Sequence, residues 1–319
     1  MNLQQLKTLV LIAELGSLSK VSDRIRIAQP ALSRQMKLLQ EEIGVPLLAR
    51  HRLGLRLTEA GEEMVKRVSG MIRQLDQAVD DVRALTGATH GRVAFGIVPT
   101  ASYVLAGELA YRVGTQFPGI ALRIVEGYSA HLIEWVQRGE VDAAVMYGPD
   151  ADLHLNTEPL LLDELVLVGP PDSDLTPKRS VTVAELAHLP LVLPSRPHGL
   201  RLLADSAASK AKVKLTVRFE ADSFRVLNDL VAKGLGFTVL PLSAISREVK
   251  ARRLKFAPLI RPTVTRQLVL GLPDRVASRA TQTVISLARE EISKLVRCGD
   301  WPAKLLFREQ HMTRPSNRS

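Results

Sequence analysis

The residues with the chemistry to recognise another molecule are crowded into one early stretch. Gln29, Ser33 and Lys37 recur every four residues, with Arg34 beside them, so on a helix they share a face. Leu32, Met36, Leu39 and Ile43 fall at steps of four, three and four. That spacing makes the other side of the helix a core stripe. An amide, a hydroxyl and two cations on a helix narrow enough for a major groove are groups that hydrogen-bond base edges and phosphates. Lys20, Arg24, Arg26, Arg34, Lys37, Arg50, Arg52 and Arg56 stand against only Asp23, Glu41 and Glu42 in the same segment. This local excess says more than the formal net charge of +10, because many basic proteins bind no polyanion. A solvated polar face is the alternative.

The elements that must position these residues follow from the flanking pattern. Leu6, Leu9, Val10 and Ala13 recur at helical spacing and Gly16 stops that first helix. Ser17 or Ser19 can cap a second helix to about Ile25, and Pro30 sits in the first turn of the third, where its missing N–H costs nothing. Gly44 ends the third helix, and residues 45–57 read as two short strands around Gly54, a wing. Residues 1–58 are therefore expected to form a winged helix-turn-helix, the helix-turn-helix at about 18–37. Thr58 then caps a long helix over 59–87. Its Met64, Val68, Met71, Leu75, Ala78, Val82 and Leu85 alternate four and three apart, the seam of a paired helix. Thr58 to Thr86 spans roughly 40 Å, too long to pack only on a small domain, so a homodimer is expected. The alternative is a linker packed on the chain's own C-terminal domain.

After a hinge at Gly87–Gly91, strands and helices alternate. Strands are expected at 92–98, 120–126, 141–147, 165–169, 191–193, 215–220, 236–240 and 267–271, and helices at 101–117, 130–138, 200–210, 223–232 and 276–296. This implies a mostly parallel, doubly wound α/β domain over 91–298. It is large enough for two lobes with a cleft, like a periplasmic binding protein: lobe I at about 91–164 and 268–298, lobe II at about 165–267. The whole is an α+β multidomain chain. Residues 299–319 lose periodicity and are expected to be a loosely ordered tail.

An enzyme on the α/β portion would need chemistry that the sequence lacks. No Gly-x-Gly-x-x-Gly follows a strand, no Walker loop occurs, and the seven histidines show no metal spacing. The one cysteine, Cys298, can form no intrachain disulfide and has no histidine near it in sequence. Neither an enzyme nor a resident cofactor or metal is expected. With 46% hydrophobic and 24% charged residues, no signal-like start and no run of 18 apolar residues, the chain reads as a cytoplasmic protein with no membrane partner. A module whose helices pair only with protein would explain the heptads but not the basic face.

The stretch from Ile27 to Arg50, Ile-Ala-Gln-Pro-Ala-Leu-Ser-Arg-Gln-Met-Lys-Leu-Leu-Gln-Glu-Glu-Ile-Gly-Val-Pro-Leu-Leu-Ala-Arg, continuing to Leu57-Thr58-Glu59-Ala60-Gly61, resembles the signature of LysR-type transcription regulators. Glu164–Val168 with Pro170, and Gly234–Pro241, sit where that family has its sensor-domain landmarks, so the resemblance reaches to about residue 296. Ile124–Gly127, Leu132–Trp135 and Tyr147–Pro149 are similar to its nitrogen assimilation control branch. Val21-Ser22, Gln40 and Leu48 depart from the usual Ala-Ala pair, glutamate and phenylalanine.

The resemblance implies that Gln29, Pro30, Ser33, Arg34 and Lys37 meet double-stranded DNA from the third helix, and that Arg50, Arg52 and Arg56 meet phosphate or minor groove from the wing. Paired subunits would read an interrupted palindrome. It implies a homodimer that assembles into a homotetramer, with RNA polymerase as a further partner. It also places a small-molecule effector between the lobes, near Thr100, Ser102 and Ser129, faced by Ser195, His198 and Ser223. Hydroxyls at helix N-termini suit an anion, so the effector is expected to be anionic, its identity unknown. Thr100, Ser129 and Ser223 are equally ordinary helix caps.

Overall fold

The computed structural model describes residues 1–51, 54–84, 89–148, 155–274 and 276–307. It opens with α1 (Leu3–Leu15), α2 (Leu18–Ile25) and α3 (Gln29–Ile43). A capping box between Asn2 and Gln5 starts α1, and Gly16 ends it with φ of 64°. Pro30 lies in the first turn of α3, which stops at Gly44. Leu9, Ile12, Val21, Leu32, Met36, Leu39 and Leu47 are buried against one another. The wing is an antiparallel pair, β1 (Leu48–His51) and β2 (Gly54–Leu57). Leu55 N–H donates to the Gly16 carbonyl at 3.3 Å, and at Gly54, with φ of +129°, a Cβ would sit 2.8 Å from that oxygen. Only glycine lets the wing dock there. Gln40 Oε1 accepts from the N–H groups of Leu47 and Leu48 at 2.9 and 3.0 Å. The amide thus supplies the acceptor that a glutamate would.

Thr58 caps α4 (Glu59–Ala84) by accepting from Gly61 N–H at 3.0 Å. One face of α4 docks on the chain's own C-terminal domain. A Cβ on Gly70 would lie 2.0 Å from the Arg138 carbonyl oxygen, so the helix approaches that turn as closely as a glycine allows. Arg73 donates to the Glu140 carbonyl, Gln77 to Asp142 at 2.7 Å, and Arg279 N–H to Asp81 at 3.0 Å. The opposite face leaves Met71, Leu75 and Val82 exposed at 61%, 52% and 66%. The heptad reading needs correction at its start. Val68 is buried within this chain, and Met64 packs on the winged-helix core, to which the first turn of α4 belongs. Leu85 lies outside the described residues.

The C-terminal domain begins with β3 (Gly91–Ile97), α5 (Pro99–Gln116), β4 (Ile120–Glu126), α6 (Ser129–Gln137) and β5 (Ala143–Tyr147). These strands lie parallel in the order β4-β3-β5. The 14-residue β6 (Asn156–Gly169) then runs from one lobe into the other. The second lobe holds β7 (Val181–Thr182), β8 (Leu191–Leu193), α7 (Gly199–Lys210), β9 (Val217–Glu220), α8 (Phe224–Ala232), β10 (Thr238–Pro241), α9 (Ser246–Lys250) and β11 (Lys255–Ile260). The chain returns through β12 (Thr265–Leu272), α10 (Arg279–Arg297) and β13 (Ala303–Leu305). Residues 156–164 of β6 pair with β12, and 165–169 with β10 and β11. Each lobe has its own apolar cluster.

Two expectations are overturned. The sheet is mixed rather than mostly parallel, because β6 and β12 cross between lobes antiparallel to each other and β12 is antiparallel to β5. Residues 299–307 are not a loose tail: Trp301 is fully buried in the lobe I core and β13 pairs with β6. Residues 308–319 lie outside the described residues. No helix among the described residues is long and apolar enough to cross a membrane.

Candidate functional site

On α3 the side chains of Gln29, Pro30, Ser33, Arg34 and Lys37 all point to solvent, over the buried Leu32, Met36 and Leu39. Ser19 of α2 donates to Gln29 Oε1 at 3.4 Å, tying the two helices at the start of this face. Lys37 meets Glu41 at 3.7 Å, an exposed pair worth little. Arg34, Arg50 and Arg56 are exposed and make no ion pair among the described residues. Arg52 lies outside the described residues. A rigid helix with uncompensated cations and an amide, flanked by a basic hairpin, is the geometry for groove and phosphate contacts.

A second polar group lies where the two lobes meet. Arg266, at the start of β12, is opposite Asp163 of β6 in the strand register, and its Nη2 donates to Asp163 Oδ2 at 3.0 Å and to Thr100 Oγ1 at 3.2 Å. Both charged side chains are buried, at 4% and 0% exposure. The guanidinium carbon lies 3.7 Å from the centre of the Tyr147 ring, a cation–π contact. Burial pushes the Tyr147 phenol up to about 12 and also raises the Asp163 carboxyl, with Arg266 opposing both shifts. Nε and Nη1 of Arg266 are buried with no hydrogen-bond partner among the described residues.

The six expected effector residues divide around this group. Thr100, buried in the first turn of α5, is bonded to the Tyr147 hydroxyl and to Arg266. Ser129, in the first turn of α6, accepts from Tyr147 N–H at 3.1 Å. Neither hydroxyl caps its helix: α5 and α6 both start without a side-chain cap. Ser102 is buried near the start of α5. From lobe II, His198 Nδ1 accepts from Leu200 N–H at 3.1 Å and so caps α7. Burial lowers the His198 imidazole pKa, and the charge of Arg266 lowers it further, against Asp222. Ser195 is committed to Asp222 through its N–H and hydroxyl, at 2.9 and 2.6 Å. Ser223 is exposed at the start of α8 and makes no side-chain cap bond.

Sequence reasoning missed Arg266, Asp163, Tyr147 and Tyr128. Tyr128 closes the junction from lobe I, its hydroxyl donating to the Asp222 carbonyl at 3.2 Å and its ring standing edge-on to His198 at 5.0 Å. Two charges beside apolar runs, Asp163 after Leu160-Leu161-Leu162 and Arg266 two residues before Leu268-Val269-Leu270, were the available signal. An apolar groove between α5 and β4, lined by Val113, Ile120, Leu122 and Ile124 among others, lies on the outer side of lobe I.

Residues 3–62 match the family model of the bacterial regulatory helix-turn-helix protein, lysR family, and residues 86–293 that of the LysR substrate binding domain. The chain belongs to the LysR family. Like the LysR proteins it matches, it is a transcription regulator with a helix-turn-helix and an effector-binding domain, not an enzyme. The nitrogen assimilation regulatory protein nac of Escherichia coli is 33% identical over 93% of this chain and 97% of its own length. Among solved structures, a cysteine variant of full-length OxyR from Pseudomonas aeruginosa matches with a TM-score of 0.73 at 24% identity, over 97% of this chain and 99% of that one. Full-length CbnR, solved with its target DNA, matches with a TM-score of 0.68 at 18% identity, over 91% and 100%. These solved chains share the LysR fold with the present one.

Proposed function

We propose that this LysR regulator reads an interrupted palindrome with the exposed face of α3 and the wing of two paired subunits. The observation that carries the reading is the outward row Gln29, Ser33, Arg34 and Lys37 over a buried apolar stripe, a layout that CbnR's complex with target DNA supports by analogy. Arg34 suits a guanine edge, Gln29 an adenine and Lys37 a phosphate. Arg50, Arg52 and Arg56 supply backbone or minor-groove contacts. Pairing uses the exposed Met71, Leu75 and Val82 of α4, with effector domains joining dimers into a homotetramer. A small-molecule effector occupies the junction between lobes around Thr100, Ser129 and His198, and RNA polymerase is a further partner. The protein works in the cytoplasm, and its sequence likeness to nac supports a place near that branch.

The test is nuclease protection of genomic fragments by the purified protein, wild type and Arg34→Ala. A two-fold symmetric footprint that the variant loses supports the reading; a footprint unchanged by the variant defeats it.

A further inference from the structure

Arg26 follows the last residue of α2, and its backbone is left-handed, with φ of 55° and ψ of 39°. A residue with a side chain is strained in that conformation, whereas glycine is not. The other non-glycine residues with positive φ among the described residues, Lys212, Arg252 and Arg261, lie in lobe II, so Arg26 is the one such residue in the winged helix. Its side chain is exposed and takes part in no ion pair among the described residues, although Asp23 stands three residues before it. Lys20 and Arg24 are also exposed on α2, but they sit in ordinary helical backbone, where a cation is held without strain. A helix C-terminus favours a cation through its dipole, and Arg24 in the last turn already supplies one. Strain kept at an exposed, unpaired side chain points to a use outside the fold.

The place of Arg26 says what that use is. Ser19 donates to Gln29 Oε1 at 3.4 Å, so the edge of α2 that carries Ser19 borders the outward row of α3. Arg26 follows Ser19 by seven residues, two helical turns along that edge, and precedes Gln29 by three. We propose that Arg26 holds a DNA phosphate at the rim of the groove that α3 reads, anchoring the start of that helix. This rests on the reading that α3 enters the major groove. The planar fork of a guanidinium matches a phosphate, and no carboxylate competes for it. A phosphate contact carries no base preference, so its loss weakens specific and unrelated DNA alike.

The experiment titrates the full-length protein against a labelled genomic duplex that it protects from nuclease and against a scrambled duplex of the same length, over a range of salt, and records the melting temperature of each variant. Arg26→Gly should weaken both duplexes about tenfold and lower the salt slope by about one for each bound subunit. Its melting temperature should be unchanged or higher, because glycine adopts the left-handed backbone freely. Arg26→Lys should keep the slope. Unchanged affinity and slope in Arg26→Gly overturn the proposal. Weaker binding with a lower melting temperature and an unchanged slope also overturns it, because that is the result of a cation serving only its own helix. Glycine loosens the turn as well, so Arg26→Asn, which tolerates the left-handed region, must reproduce the loss of slope, and a slope that it retains overturns the assignment. Arg34→Ala in the same titration separates the two levels. Loss of discrimination there, with Arg26→Gly silent, leaves α3 as the reader and removes Arg26 from the interface. No change in either variant defeats the α3 reading as well.

Discussion

The outer face of α3 and the buried group around Arg266 are both clusters of polar and charged side chains, built in opposite ways. On α3 the amide, hydroxyl and cations come from nine consecutive residues, 29–37, and face water at little cost. Around Arg266 the partners come from α5, β5, β6 and β12, with Arg266 and Thr100 separated by 166 residues, and desolvation penalises every charge. A surface reader is selected for what it meets; a buried cluster must first be compatible with folding. The two therefore differ in what a substitution costs.

The largest expected effect is on the buried side. Arg266→Ala leaves Asp163 without its partner in a buried site, which costs about 3–5 kcal/mol. Denaturant unfolding should show that loss, whereas Arg34→Ala should leave stability within about 0.5 kcal/mol. Equal stabilities for the two variants would erase the distinction. Next comes α4, which joins the regions and has one face of each kind. Replacing Met71 and Leu75 with glutamate removes two apolar side chains from the exposed face, each worth roughly 1.5–3 kcal/mol if buried between subunits. Light scattering should then find monomer that still folds. Val68→Glu should instead lower folding stability, because Val68 is already buried in its own chain. Dimers that survive the Met71 and Leu75 changes would mean that the exposed stripe is not the seam.

On the DNA side, the wing sharpens the comparison. Arg34→Ala should cost about 1–3 kcal/mol at the specific site and relax preference at one base pair per half-site. Arg56→Ala should weaken all sequences more evenly and lower the salt slope by about one. A salt titration on specific and scrambled duplexes separates them, and the reverse result would exchange the roles of helix and wing.

What the sequence made legible follows the same division. The three N-terminal helices, the wing and α3's outward row could be read because a helix turns its period into a face within a few residues. Most elements of the effector domain were readable for the same reason. The first half of β6 was not: Glu158, Asp163 and Glu164 interrupt its apolar pattern, and only pairing with β12 reveals that Asp163 points inward at Arg266. β13 was missed because a three-residue strand borrows its stability from a neighbour, and β11 because Pro258 sits inside its run and a proline argues against a strand. Trp301 was assigned to a tail because one aromatic residue carries no period, though its burial anchors the last strand. Thr100 and Ser129 were readable as polar residues at strand-to-helix turns, while their shared partner Tyr147 was not. Register across a sheet is set by topology rather than by local spacing.

The smallest expected effect tests whether the buried side senses protons at its edge. Burial, helped by Arg266, lowers the His198 pKa, with Asp222 opposing, so the folded protein favours the neutral ring. A histidine whose folded pKa is depressed contributes stability that is present above its unfolded value, about 6.5, and is lost as pH falls through the folded value. Nearby carboxylates also begin to titrate in mild acid, so the wild-type slope alone proves nothing. His198→Asn retains an acceptor for Leu200 N–H, in a residue well suited to cap α7, and removes the titration. Stability measured by denaturant at neutral pH and at about pH 5 should therefore fall more steeply in the wild type than in the variant. Parallel slopes would show that His198 ionises in the folded state as easily as in the unfolded chain, and that the influence of Arg266 stops short of lobe II.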